Sequence, residues 1–167
     1  MQKAIVFILI LSSHFCLSCT PKSPEINIQV DAWPEFLETR YFNDHMEWAR
    51  LSDQKKLNLI FSDYYDIEIV KDLLGDYLRN FLETFQSTRV VEISGNIIIE
   101  GFIPGGNRFT NGVVKIEEIS ISILFGYIEN NRGLYMYFTN GLNDILPVEF
   151  YNWNNFPGSG NIEIRKM

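Results

Sequence analysis

A change of hydrophobic period near residue 87 constrains the fold of this chain more than any other feature. Over residues 66–85, apolar residues recur every three or four positions, which predicts one amphipathic helix that begins at Asp66. Its apolar stripe contains Val70, Leu73, Leu74, Tyr77, Leu78, Phe81, Leu82 and Phe85, with Leu78 and Phe81 at its centre. From residue 91 the period becomes two, which is typical of half-buried strands. The sequence therefore predicts a helix packed on a sheet.

Alternating apolar residues predict four or five antiparallel strands in a meander. In the first run, Val91, Ile97 and Ile99 share one face. In the second run the alternation changes phase at Glu117 and Glu118, which predicts a β-bulge there. The predicted strands cover residues 91–103, 113–128, 134–139, 146–151 and 162–165.

Shorter helices are predicted before the long one. Apolar spacing indicates a helix over residues 31–41, and Asp44 with Glu47 resembles a capping box that starts another. Residues 53–61 suit either a helix or a strand. Helices followed by an antiparallel meander define the α+β class. Their order loosely resembles cystatin-like and NTF2-like folds, a likeness of topology that implies no activity.

The N-terminus has the layout of a secretory signal. A positive charge at Lys3 precedes the unbroken apolar run of residues 4–11, and small residues follow. A transmembrane helix needs about 20 apolar residues, and this run is interrupted by Ser12 and Ser13 well before that length. The sequence therefore predicts a signal peptide over residues 1–18.

The end of this signal, Cys16-Leu17-Ser18-Cys19, resembles the lipobox of bacterial lipoproteins, in which a small residue precedes the lipidated cysteine. Cys16 stands where the family usually has leucine. The resemblance implies a fatty acyl chain such as palmitate on Cys19 and a location on the bacterial cell envelope, anchored to a membrane by lipid. The two prolines within residues 20–25 predict a tether over residues 19–25, and the chain length predicts a single domain over residues 26–167. A plain secretory signal, which would make the protein periplasmic or secreted, is the alternative.

Composition narrows the range of partners. The chain has 14 Lys and Arg against 21 Asp and Glu, a net charge of −7 that argues against nucleic acid. Apolar residues make up 46%, including 13 Phe and 8 Tyr, so the chain can bury a core.

No catalytic constellation is evident in the sequence. Cleavage before Cys19 removes Cys16 and His14, which leaves His45 as the only histidine and no thiol beyond the lipidated one. Glu117 and Glu118 are neighbours on a predicted strand and point to opposite faces unless the bulge brings them together. The sequence predicts no catalytic residue, metal ligand or cofactor.

The most unusual segment combines aromatic rings with asparagine amides. Tyr151, Trp153 and Phe156 alternate with asparagines, a chemistry that suits a saccharide or a protein surface. In the predicted meander, Asn131 and Arg132 lie at the same end and complete a candidate binding site. The alternative is that Trp153 and Phe156 fold back over the core.

These observations favour a non-catalytic binding domain whose partner is a protein or a saccharide. Two other classes stay open. One is a carrier of a small apolar ligand, held between the long helix and the sheet. The other is a hydrolase of envelope polymers with a carboxylate-based site.

Overall fold

The computed structural model describes residues 35–41, 45–61, 64–107, 109–142, 145–151, 153 and 163–167. Within them the chain is a mixed α+β fold with a mostly antiparallel sheet. The predicted signal peptide (1–18), Cys19, the tether (19–25) and Phe156 lie outside the described residues.

The described residues form one seven-stranded sheet in which the strands follow chain order. Neighbouring strands are antiparallel except for the last pair, which is parallel. The strands are β1 (Glu35–Tyr41), β2 (Ser87–Ile93), β3 (Asn96–Phe102), β4 (Asn111–Glu117), β5 (Ser120–Glu129), β6 (Arg132–Thr139) and β7 (Ile164–Lys166). The helices are α1 (His45–Arg50), α2 (Asp53–Phe61), α3 (Ile67–Leu74), α4 (Leu78–Thr84) and α5 (Val148–Tyr151).

The segment predicted as the first helix is instead strand β1, so a strand precedes the helices. It pairs with β2, where Phe36 lies opposite Val91 and Arg40 opposite Thr88. Phe36 stays 59% exposed, so burial of its ring is not what sets this structure. The pairing hydrogen-bonds one edge of β2, and that long-range gain outweighs the local helical spacing.

The predicted long helix is two helices joined by a 3₁₀ turn. Gly75 takes a φ of 48° at the break, a conformation that favours glycine. The predicted apolar stripe is confirmed in both halves, since Val70, Leu74, Phe81, Leu82 and Phe85 are buried. Leu78 is only partly buried, so Phe81 rather than Leu78 is the centre of the core.

Seven strands are described because both long apolar runs are hairpins, β1 adds one strand, and the predicted fourth strand is not formed. A turn at Ser94 and Gly95, with φ values of 53° and 80°, divides the first run. A two-residue turn at Glu118 and Ile119 divides the second, so the predicted bulge is a hairpin turn. Such a turn exchanges odd and even positions between faces, and the prediction that Val91 and Ile99 share a face is therefore wrong.

Each face of the sheet carries its own apolar core. The helix-covered face has a continuous ladder of Val90, Ile99, Val114, Ile123 and Phe138 across five strands. The opposite face carries Val91, Ile98, Val113, Leu124, Tyr135 and Tyr137. The sheet is thus covered on both sides.

The segment predicted as the fourth strand covers the second face as α5. Leu146, Phe150 and Trp153 recur at helical spacing, and all three are buried there. The Lys115 ammonium holds α5 to the sheet, 3.0 Å from the Glu149 carboxylate and 3.2 Å from Glu117. Burial alone would lower the pKa of Lys115, but the hydrogen bonds and charges of the two glutamates outweigh it and raise that pKa.

None of the helices in the described residues combines the length and the apolar character that a membrane span requires.

Candidate functional site

The structure separates the residues of the predicted aromatic site. Trp153 is 5% exposed in the core of the second face, whereas Tyr151 is 59% exposed on α5. Asn131 and Arg132 are exposed at the turn between β5 and β6. Burial of Trp153 agrees with the alternative that this ring covers the core, and it leaves Tyr151 as the described aromatic ring on the surface of that segment.

The backbone of the turn between β5 and β6 accounts for the asparagines found there, and no ligand is needed to explain them. Asn130 and Asn131 have φ values of 50° and 63°, and asparagine tolerates this left-handed conformation better than most residues. The residue type of Asn131 therefore follows from the hairpin.

The space between the helices and the sheet is filled by aromatic rings. The centroid of the Phe81 ring lies 4.3 Å from that of Phe85, 5.7 Å from Phe125 and 6.0 Å from Phe61. This packing occupies the position that an apolar-ligand carrier would need to leave open.

Several of the described carboxylates are engaged in structural ion pairs. Glu117 binds Lys115 at the hairpin turn, and Glu100 lies 2.8 Å from Arg89. Burial raises the pKa of Glu100, and Arg89 partly offsets that effect. Across the described ranges, no group of three or more His, Cys, Asp or Glu side chains is placed to hold a metal ion.

A cleft of about 520 Å³ opens between α1, the start of α2, α4 and the residue that follows β3. We call it the Gln86 cleft. It is lined by Trp48, Ala49, Leu51, Asp53, Lys56, Arg79, Glu83, Gln86 and Ile103. A smaller hollow of about 170 Å³ adjoins it and shares Glu83 and Ile103. The volume of the Gln86 cleft is within the range of small-ligand sites, which run from about 300 to 1,000 Å³.

Trp48 sets the wall of the cleft. Its indole is 1% exposed, and its Nε1 donates a hydrogen bond of 3.1 Å to the carbonyl oxygen of Leu82 on α4. The Lys56 ammonium lies 5.8 Å from the centre of the Trp48 ring. These contacts join α1, α2 and α4 around the opening.

Gln86 is the buried polar residue in the lining of the cleft. It is 2% exposed, and its Nε2 has no hydrogen-bond partner among the described residues. An unpaired buried donor costs about 1–3 kcal/mol, so an acceptor supplied by a ligand would recover that loss. Because Nε2 is itself buried, a ligand acceptor in the cleft reaches it only when the amide rotates, which the broad terminal torsion of glutamine allows.

Sequence reasoning missed this cleft. Its residues come from α1, α2, α4 and the end of β3, and their convergence depends on how helices cross the sheet. One signal was present in the sequence: Gln86 directly follows Phe85, the last residue of the apolar stripe.

No family model matches this chain, and neither the curated proteins nor the solved structures contain a detectable match to it. The case for a function therefore rests on the chemistry of the Gln86 cleft and of the N-terminal segment.

Proposed function

We propose that this protein is a cell-envelope lipoprotein whose single α+β domain binds a protein or saccharide partner without catalysing a reaction. The observation that carries the binding role is Gln86, whose buried Nε2 lacks an acceptor beside an open cleft. Within the described residues, Ser87 Oγ, Thr88 Oγ1, Glu149 Oε2 and Trp153 Nε1 are unpaired in the same way, and Gln86 differs from them because it lines the cleft.

The lipid anchor rests on the lipobox-like segment that ends at Cys19. An acyl chain there would hold the domain at a membrane surface. We expect a radiolabelled fatty acid to be incorporated into the wild-type protein and to be lost in Cys19→Ser. Incorporation that persists in Cys19→Ser would contradict lipidation at this residue.

The site of partner binding can be tested by comparing two charge reversals. Arg79→Glu alters the Gln86 cleft, and Arg132→Glu alters the site that the sequence predicts at the turn between β5 and β6. Both side chains are exposed, so neither change should disturb the core. In pull-downs from envelope extract with the full chain, we expect Arg79→Glu to reduce recovery of a specific protein or glycan at least about tenfold, which is about 1.4 kcal/mol.

Equal recovery with Arg79→Glu and loss with Arg132→Glu would move the site to the turn. Recovery that neither variant alters would contradict both sites.

A further inference from the structure

The four charged side chains of the Gln86 cleft lack ion-pair partners within the described residues. Asp53 and Lys56 lie one turn apart on α2, and Arg79 and Glu83 lie one turn apart on α4. Spacing alone does not prevent pairing: Lys71 and Glu68 on α3, three residues apart like Asp53 and Lys56, approach to 2.7 Å, and residues four apart can also pair. The cleft therefore presents two cations and two carboxylates to a ligand.

The positive charge of Lys56 is directed at an aromatic ring. Its ammonium lies against the Trp48 ring rather than in an ion pair with Asp53. The Asp53 carboxylate, at the first position of α2, thus keeps its acceptor oxygens for other donors.

Trp48 does not offer a platform for a sugar ring. Its indole is 1% exposed, and Lys56 lies over the ring. Stacking on an open aromatic face is a main source of saccharide affinity, and the described lining of the cleft contains no other aromatic ring.

From these groups we infer that the Gln86 cleft binds a peptide segment that carries an ammonium and a carboxylate close together. This inference rests on the proposed binding function and selects a protein rather than a saccharide as the partner. The cleft carboxylates receive the ammonium, Arg79 receives the carboxylate, and a backbone carbonyl of the peptide accepts the hydrogen bond from Gln86.

The probe is a tripeptide Lys-Ala-Glu, acetylated at its N-terminus and amidated at its C-terminus so that only the side chains are charged. Two matched probes replace either the lysine or the glutamate with glutamine, and triacetylchitotriose represents saccharides. Binding is measured by isothermal titration calorimetry with the full chain in detergent. We expect the doubly charged peptide to bind at least about tenfold more tightly than either singly charged one.

Substitutions in the cleft test which side chain binds each charge of the peptide. Glu83→Gln should remove the advantage given by lysine, and Arg79→Gln should remove the advantage given by glutamate. Asp72→Asn, an exposed carboxylate on α3 outside the cleft lining, should change neither. Gln86→Leu should weaken all three peptides, and the two surface variants keep the test valid if this buried change prevents folding.

Equal affinity for the three peptides, or effects that are the same in Asp72→Asn, would overturn the inference. Tighter binding of triacetylchitotriose, lost in Gln86→Leu, would also overturn it while leaving the proposed binding function intact. If no probe binds and Arg79→Glu captures the envelope partner normally, the cleft has neither role.

Discussion

Gly101→Ala is expected to destabilise the protein by about 1–3 kcal/mol, because it overpacks a close contact in the core. A Cβ atom at Gly101 would lie 2.2 Å from Cδ1 of Phe85. Phe85 is fully buried, and its ring also lies over Gly112, the residue paired with Gly101 on β4. The ring has Phe81 4.3 Å away between centroids, which limits its room to move.

The urea midpoint of unfolding measures this effect. Gly141→Ala is the matched control, since its Cβ would meet the Thr139 hydroxyl at 3.2 Å and should cost little. Phe85→Leu should partly rescue Gly101→Ala, so that the double variant is more stable than the sum of the two single changes predicts. A midpoint for Gly101→Ala equal to that of Gly141→Ala would contradict the described packing.

Phe81→Ala should cost about 3–5 kcal/mol, because it removes a buried ring that contacts both helices and sheet. Phe81 is 0% exposed and lies against Phe61 on α2 and Phe125 on β5. Leu78→Ala should cost less, since Leu78 is only partly buried, and the exposed Arg79→Ala should stay within about 0.5 kcal/mol. The three midpoints in urea test this order, and a loss for Leu78→Ala that exceeds the loss for Phe81→Ala would refute it.

The spacing of apolar residues predicted the helical part of the core, but it did not predict the hairpin turns or β1. The stripe from Val70 to Phe85 is the buried face of α3 and α4 because a wide apolar stripe can be buried only against another element. The turn at Ser94-Gly95 does not interrupt the alternation of the first run, and the phase change at Glu117-Glu118 fits a bulge as well as a turn, so two hairpins are predicted as single strands. β1 escaped prediction because the interaction that forms it is its pairing with β2, about fifty residues further along the chain.

The same physical reason applies to the sites. Tyr151 and Trp153 are two residues apart, yet one is exposed and the other buried, because α5 lies on a second apolar face that the predicted meander did not contain. The Gln86 cleft combines residues from three helices, and only their packing shows that Nε2 of Gln86 has no partner among the described residues.

Because α5 and β7 follow β6 in the chain, a ribosome completes the helix-covered layer of this protein before it supplies the cover of the other layer. Until that cover arrives, Val113, Leu124, Tyr135 and Tyr137 form an apolar surface open to water. Exposed strands of this kind associate readily with other chains. The segment that includes Phe150 and Trp153 therefore covers this surface against association with other chains. The ion pair between Lys115 and Glu149 holds the segment in place.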